Sequence, residues 1–561
     1  MKILSISSEI TPSETICDDP IHLFTQFFIP ENNATRLREL QFCLRKNVSS
    51  KHIHQIHLLG ERIYTDAELG IQSNKIVQIV IGHRLTFQDV FSYIRTQNIV
   101  GFHVLVNSDI YFSNYALHNL RISNISQNKT AFAILRREYK PDDPYHSPLF
   151  GPRFDSQDTW IFHSNYPIQA KHESAFYFRF GQPGCDNKMV YLMRVLGYNV
   201  VNDPVFIETF HVHSSKARNY SSKDTVPQPW AVVSPVGHDP LQMPSCLGID
   251  PRAIHASTKG FKSIMFEDNR ILYDYITKKC AESKPFIIPR ISGIENNIAV
   301  YMRVIKERGS NAPPHLQEYI RKIIPAMKNN AGIQLSSMDT LYHYSDDYLR
   351  AFEQCELFAG WDIQGNYIGH IGQSHDYMQK AYGASRTVFW ALALDIFHYI
   401  YNQPWTHALK GKRVLIISPF EETLREKIPI REKLYDGVDL FPDCEITVLK
   451  PPQTQAGETS REFSVELADF KTRVNAVLDT FDVALVSCGG YANPICAHIF
   501  DKGKSAMYVG GVLQMYFGIL GERWVKERPD IVRLFTNEHW SRPKESERPK
   551  NSKNVEGGCY W

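Results

Sequence analysis

The sequence predicts an α/β protein built as two doubly wound domains. Three observations carry that prediction. Strand-like and helix-like stretches alternate through the first 110 residues, the alternation resumes beyond about residue 258, and a Ser-, Pro- and charge-rich stretch lies between. A chain of 561 residues is also too long for one hydrophobic core.

At the front, FTQFFIP (24–30) is a β-rich run ended by proline, and RLRELQFCLRKNV (36–48) sets Leu37, Leu40, Leu44 and Val48 at helical spacing. IHQIHLLGE (53–61) and KIVQIVIG (75–82) are strands, and LTFQDVFSYIRTQ is a helix with Thr86 as its cap. IVGFHVLVNSDIYF (99–112) is an apolar strand that breaks into a polar turn at Asn107–Asp109. Strands alternating with helices imply a parallel sheet, whose ligands sit beyond the carboxyl ends of its strands; the Asn107–Asp109 turn falls there.

After His213 the composition shifts, and a boundary is expected near Pro240. Behind it, NRILYDYITKKCAES is helical, PFIIPRI (285–291) a strand and GIENNIAVYMRVIKERG helical. GKRVLIISPF (411–420), CEITVLKPP (444–452), FDVALVSCGG (481–490) and KSAMYVGG (504–511) are further strands. The expected division is a front domain over 1–225, a linker over 226–257, a rear domain over 258–540 and a polar, solvated tail over 541–561.

Composition narrows the function. Net charge is +2, from 62 basic and 60 acidic residues with no basic stripe, so no nucleic-acid partner is expected. No run of about 18 apolar residues occurs, so no transmembrane segment is expected. The ten cysteines include no C-x-x-C pair, which speaks against a zinc knuckle or a disulfide framework and for a reducing, cytoplasmic location.

The front half carries the chemistry. Asn107-Ser108-Asp109 closes a buried strand, and a carboxylate there can meet a divalent cation or a diphosphate. Downstream come Asp158 with Trp160, then Gly181-Gln182-Pro183-Gly184-Cys185-Asp186 before a helix, then His211-Val212-His213. The two histidines alternate on a strand-like run and share one face. Asp186 at a helix start is either a charged group steadied by the helix dipole or simply a cap.

This order, over roughly residues 20–225, resembles GT-A-fold glycosyltransferases, whose nucleotide-binding half ends in a D-x-D-type turn. Asn107-Ser108-Asp109 stands where that turn would be, with Asn in place of the first carboxylate. The resemblance implies a nucleotide-sugar donor, a glycan acceptor and Mn²⁺ or Mg²⁺. It makes Asp186 the catalytic base of an inverting transfer, Asp109 with His211 and His213 the metal group, and Asn107, Asp109, Arg84 and Glu61 donor contacts. Asp158 and Trp160 become the acceptor side, Trp160 offering its face to a sugar ring. A nucleotidyltransferase would need a glycine loop after the first strand, and FIPENNATRLR has none.

The rear region is similar to the GT-D glycosyltransferase fold, a Rossmann-type sheet with an early D-x-E-type motif and a late glycine loop. Arg290 and Glu295 match the first motif, with Gly293 where Asp would stand, and Gly489, Gly490 and Asn493 match the loop. The resemblance implies a second transferase; the alternative is a non-catalytic glycan-binding or scaffolding module.

Overall fold

The computed structural model describes residues 16–151, 153–215, 224–227, 230–233, 235, 266–361, 370–395, 404–435, 437, 439–527, 529–555 and 557–561. The boundary expected near Pro240 lies outside them. The chain divides into two compact units, Met1–Ile264 and Met265–Trp561.

In chain order, the front unit holds β1 (Ile21–Thr25), α1 (Ala34–Ser49), β2 (Ile53–Gly60), α2 (Asp66–Leu69), β3 (Ile76–Val80), α3 (Phe87–Thr96), β4 (Phe102–Val106), β5 (Ile110–Phe112) and α4 (Ala116–Ile122). They are followed by β6 (Thr130–Ile134), β7 (Arg137–Glu138), β8 (Thr159–His163), α5 (Cys185–Val195), β9 (Asn199–Val201) and β10 (Thr209–His211). Thr86 caps α3 as its sequence predicts: its hydroxyl accepts from the Asp89 N–H while the Asp89 carboxylate accepts from the Thr86 N–H.

Among these residues the central sheet has seven strands in the order β3-β2-β1-β4-β8-β6-β9. β1 to β4 are mutually parallel, as the alternation implies, and β9 runs parallel to β6. β8 is antiparallel to both its neighbours, so the sheet is mixed rather than wholly parallel. An apolar run such as TWIFH records burial on both faces but not strand direction.

A second sheet, β5-β10-β7, positions the candidate site. β10 pairs antiparallel with β5, setting His211 opposite Ile110, and parallel with β7, setting His211 opposite Glu138. Three segments far apart in sequence thereby converge beside the turn that ends β4.

The described part of the expected linker belongs to the front unit. Val226 and Ala231 are buried, and their N–H groups donate to Pro183 and Asn187 around the start of α5. Pro- and Ser-rich composition reads as a linker, yet the apolar side chains within it find a surface to cover.

In the rear unit the strands β11 (Ile287–Ile288), β14 (Arg413–Ile417), β15 (Glu445–Leu449), β16 (Val483–Val486) and β17 (Ser505–Tyr508) form a fully parallel sheet in the order β11-β17-β16-β14-β15; β12 (Leu357–Gly360) and β13 (Thr387–Trp390) pair separately. The segment expected as a solvated tail is instead packed. The Glu547 carboxylate is buried and accepts from the Glu422 N–H at 2.7 Å, and Trp561 meets the Phe420 ring edge-on at 6.3 Å. The apolar Cys559 and Trp561 at its end gain burial that the charged residues before them conceal in the sequence. Among the described residues no helix is long and apolar enough to cross a membrane.

Candidate functional site

The turn after β4 is built by backbone bonds. The Asn107 N–H donates to the Asp158 carbonyl at 3.1 Å, and the Ile110 N–H closes back on Asn107 at 3.2 Å. A small cleft next to it is lined by Thr25, Gln26 and Phe27 from the end of β1 and by Asn107 and Ser108. Asp109 is 7% exposed. Its Oδ2 lies 2.6 Å from Arg36 Nη2, 3.2 Å from His211 Nε2 and 3.7 Å from His213 Nδ1. Burial alone would raise this carboxyl, but His211, His213 and Arg36 hold it well below its ordinary range.

Asp109, His211 and His213 offer one carboxylate oxygen and two ring nitrogens, all within 4.8 Å of one another. Two features suit a cation. Nε2 of His213 is buried and meets no hydrogen-bond partner among the described residues. His211 Nδ1 faces Glu138 Oε2 at 3.2 Å, the outer-shell carboxylate that fixes the tautomer of a ligating imidazole. Burial pushes His211 toward neutrality, but Asp109 outweighs it and lifts the ring to about 9. A cation entering here displaces a proton.

The polar contacts then run in a closed circuit. Glu138 Oε1 accepts from Arg136 Nε at 2.9 Å, and Arg136 pairs with Asp158. The other Asp158 oxygen accepts from Asn107 Nδ2 at 2.7 Å, returning to the turn that carries Asp109. Asn107, which stands where a D-x-D turn has its first carboxylate, thus ties the turn to Asp158.

Asp186 lies beside the circuit, where the charge of Asp158 acts on it. It occupies the first turn of α5 but does not cap it; Gly184 is the N-cap, with φ 79°. Its carboxyl accepts from the Asn187 N–H at 3.0 Å and the Gln157 N–H at 3.4 Å. Burial, followed by the nearby charge of Asp158, raises it to about 7.

Other expected site residues fall elsewhere. Trp160 is 2% exposed on β8, with Phe87 edge-on at 4.9 Å and Phe180 at 6.1 Å, so it is a core side chain and cannot present its face to an acceptor sugar. Asp158 and Trp160 are two apart, yet only Asp158, just ahead of the start of β8, reaches the polar circuit. Trp230 is the aromatic beside the Asp186 loop: its ring lies 3.3 Å from where a side chain at Gly184 would begin. Nothing in its Pro-rich surroundings marks it in the sequence. Glu61 follows β2 and Arg84 precedes α3; both are exposed, with Arg84 5.5 Å over the Phe28 ring and neither in the Asp109 circuit among the described residues. Arg36 and Glu39, which touch the circuit from α1, carry no sequence signal beyond being polar residues on a helix.

A second cluster, Cys17, Asp19 and His163, also brings ligand-type atoms together. There the Asn165 N–H donates to His163 Nδ1, so Nε2 carries the proton and donates to Asp19 at 3.0 Å. That is a structural hydrogen bond rather than a ligand set.

In the rear unit Arg290 and Asn493 do meet: Arg290 N donates to Asn493 Oδ1 at 3.3 Å and Asn493 Nδ2 to the Arg290 carbonyl at 3.0 Å. The Arg290 guanidinium donates to the Val509 carbonyl and lies 5.0 Å over the Trp361 ring. Glu295 sits in the first turn of the helix Ile294–Arg308. The Gly489–Gly490 turn is not an open anion cradle. A Cβ at Gly490 would fall 2.4 Å from Ile333 Cγ1, so these glycines admit the segment 331–333.

No family model matches the chain, and no curated protein matches it. Solved structures show similarity over about a third of it. The mannosyltransferase PcManGT from Pyrobaculum calidifontis, in complex with GDP-Man and Mn²⁺, aligns at 9% identity and TM-score 0.26, over 37% of this chain and 61% of that one. GalNAc-T7 with UDP, GalNAc and Mn²⁺ aligns at 9% identity and TM-score 0.25, over 36% of this chain and 45% of that one. The 4-diphosphocytidyl-2C-methyl-D-erythritol synthase from Anaerococcus prevotii aligns at 14% identity and TM-score 0.23, over 37% and 95%. This chain thus spans less than two thirds of the first two structures. At TM-scores of this size nothing about the chemistry follows from the likeness.

Proposed function

We propose that the front unit is a GT-A-type glycosyltransferase that moves a sugar from a nucleotide-diphosphate donor to a glycan hydroxyl with inversion. One observation carries this reading: Asp109, His211 and His213 converge beyond the carboxyl end of a parallel strand, and a carboxyl raised to about 7, Asp186, feels the charge of Asp158 in their polar circuit.

Asp109, His211 and His213 would hold the cation. One carboxylate with two imidazoles suits Mn²⁺ better than Mg²⁺, which prefers an all-oxygen shell. A cation held there would supply positive charge to offset that developing on a leaving diphosphate. The chain's own residues do the rest. Asp186 accepts the proton of the attacking hydroxyl, at a pKa matched to neutral pH. Burial, and after it the charge of Asp158, keeps Asp186 that basic, and Asp158 is itself held by Arg136 and by Asn107 of the Asp109 turn. Glu61, which follows β2, and Arg84, in the loop between β3 and α3, are the residues we assign to the nucleotide. The glycan faces the Asp186 side.

For the rear unit, the packed Gly489–Gly490 turn favours the non-catalytic glycan-associated module over a second transferase.

The test is nucleotide release from a panel of nucleotide sugars, with a glycan acceptor, in Mn²⁺ and in chelator. Mn²⁺-dependent release from at least one donor, abolished in Asp109→Ala while the fold is kept, is the expected result. Release that persists in Asp109→Ala, or that ignores chelation, overturns the reading.

A further inference from the structure

Helix α1 turns two charged side chains toward the Asp109 group, and they act on different parts of it. Arg36 donates through Nη2 to Asp109 Oδ2 at 2.6 Å and through Nη1 to the Val212 carbonyl at 3.4 Å. Glu39, one turn later, accepts from Arg36 Nη1 at 3.1 Å. Its Oε1 accepts from Ser214 N at 2.7 Å, Ser214 Oγ at 2.7 Å and Ser215 N at 3.0 Å, and its Oε2 accepts from Ser215 Oγ at 3.1 Å.

This arrangement is not needed to pack the helix. Glu39 is 5% exposed on the face that also buries Leu40, Cys43 and Leu44, where an apolar side chain would serve the core. A carboxylate buried at such a position is costly unless its bonds are used. What it bonds is the chain just past the end of β10. His213 therefore lies between two tethers, the Val212 N–H on the Asp109 carbonyl at 2.9 Å and the Glu39 clasp on Ser214 and Ser215.

We infer that Glu39 and Arg36 are positioning residues of the cation centre with opposite effects on its affinity. The inference rests on reading Asp109, His211 and His213 as that centre. Glu39 holds the backbone that sets the His213 ring, so losing its acceptor oxygens weakens cation binding. Arg36 orients Asp109 but places a fixed positive charge on the oxygen a cation would take, so losing it strengthens binding.

The experiment is titration of the full chain with MnCl₂ alone, following free Mn²⁺ by electron paramagnetic resonance, with a thermal melt on every variant. Wild type binds, and His213→Ala binds more weakly. Glu39→Ala loses affinity by about 10-fold or more, the usual effect of removing an outer-shell partner. Glu39→Gln, which keeps an acceptor for the serine N–H groups, loses clearly less than Glu39→Ala. Arg36→Gln gains affinity. The double variant Ser214→Ala, Ser215→Ala leaves Glu39 in place and also loses affinity, which covers the case of a misfolded Glu39→Ala.

Equal losses in Glu39→Gln and Glu39→Ala would reduce Glu39 to a bare charge and overturn the clasp, as would wild-type affinity in both Glu39→Ala and the double serine variant. Weaker binding in Arg36→Gln would overturn the opposed roles. If wild type itself takes up no Mn²⁺, the reading of the centre fails first, and that outcome is distinct from the others.

Discussion

Asp158 and Asp186 are two neighbouring carboxylates with unequal support. Asp158 is paired with the Arg136 guanidinium and bonded by Asn107 Nδ2, whereas Asp186 is met by the backbone N–H groups of Gln157 and Asn187. Burial, followed by the charge of Asp158, raises Asp186 to about 7. A carboxyl raised to near neutrality is what a general base requires.

A pH profile follows. A base with its carboxyl near 7 is half-ionised at neutrality, so kcat is expected to rise with pH through about 7 and then level off. In Asp158→Asn the neighbouring charge is gone, and the inflection should move to lower pH by on the order of one pH unit. Profiles of the two proteins that coincide would remove Asp158 from this role.

The same shift has a stability consequence of the opposite sign. A carboxyl whose folded pKa is raised costs nothing below its unfolded value, near 4, and its cost is fully present above about 7. Asp186→Asn is thus expected to abolish transfer while raising Tm by a few degrees at pH 8 and leaving it unchanged near pH 3, where the group is protonated in both states. A Tm that falls at pH 8 would mean that Asp186 is structural.

How far the sequence could be read follows from what each residue type encodes. Apolar runs and the Thr86–Asp89 capping box carry their own local signal, so β2 to β4 and α3 appear where the pattern sets them, whereas β1 lies ahead of the run over 24–30 and shares only Phe24 and Thr25 with it. Direction and pairing are not local: nothing in TWIFH distinguishes an antiparallel β8 from another parallel strand. The turn at Asn107–Asp109 and the paired histidines were visible because they interrupt or decorate strands. The circuit that joins them, Arg36, Glu39, Arg136 and Glu138, was not. Each is an ordinary charged residue until β5, β7 and β10 pair, and pairing of distant segments leaves no mark at any one position. The burial of Trp160 was undecidable for the same reason, since a strand position shows alternation but not which layer lies above it.

Trp160→Ala is expected to cost about 3–5 kcal/mol of stability, the usual price of emptying a large aromatic site. Trp160→Phe should cost much less, because the indole N–H has no partner to lose among the described residues. Urea unfolding of the three proteins measures both. A selective rise in acceptor KM at unchanged stability would instead return Trp160 to the glycan side.

Gly490 offers a check on the rear unit. Gly490→Ala places a methyl group against Ile333 and is expected to destabilise by about 1–3 kcal/mol through overpacking. Differential scanning calorimetry of the full chain should show the transition of the rear unit falling while that of the front unit stays. Unchanged melting would mean that the turn is open after all, and would restore it as a ligand loop.

Acid sensitivity belongs to a different part of the front sheet. His22 Nδ1 lies 3.0 Å from His57 Nε2, His57 Nδ1 lies 3.2 Å from the Tyr93 hydroxyl, and His103 Nε2 donates to the Ile99 carbonyl at 3.0 Å. All three rings are buried, and burial lowers them to about 4, 3 and 3 respectively. The sign is that of neutral histidines in the fold facing charged ones in the unfolded chain: their share of stability is complete above the ordinary value near 6.5 and is lost as pH falls from there toward 4. Each ring then steepens the acid limb by up to about 1.4 kcal/mol per pH unit. His57→Phe, which keeps the stacking on Phe24 seen at 4.7 Å, should flatten that limb between pH 6 and 4 whatever it does to stability at pH 8. Urea midpoints measured across this range decide it, because a variant whose midpoint falls with pH as steeply as wild type would show that His57 is already charged in the fold.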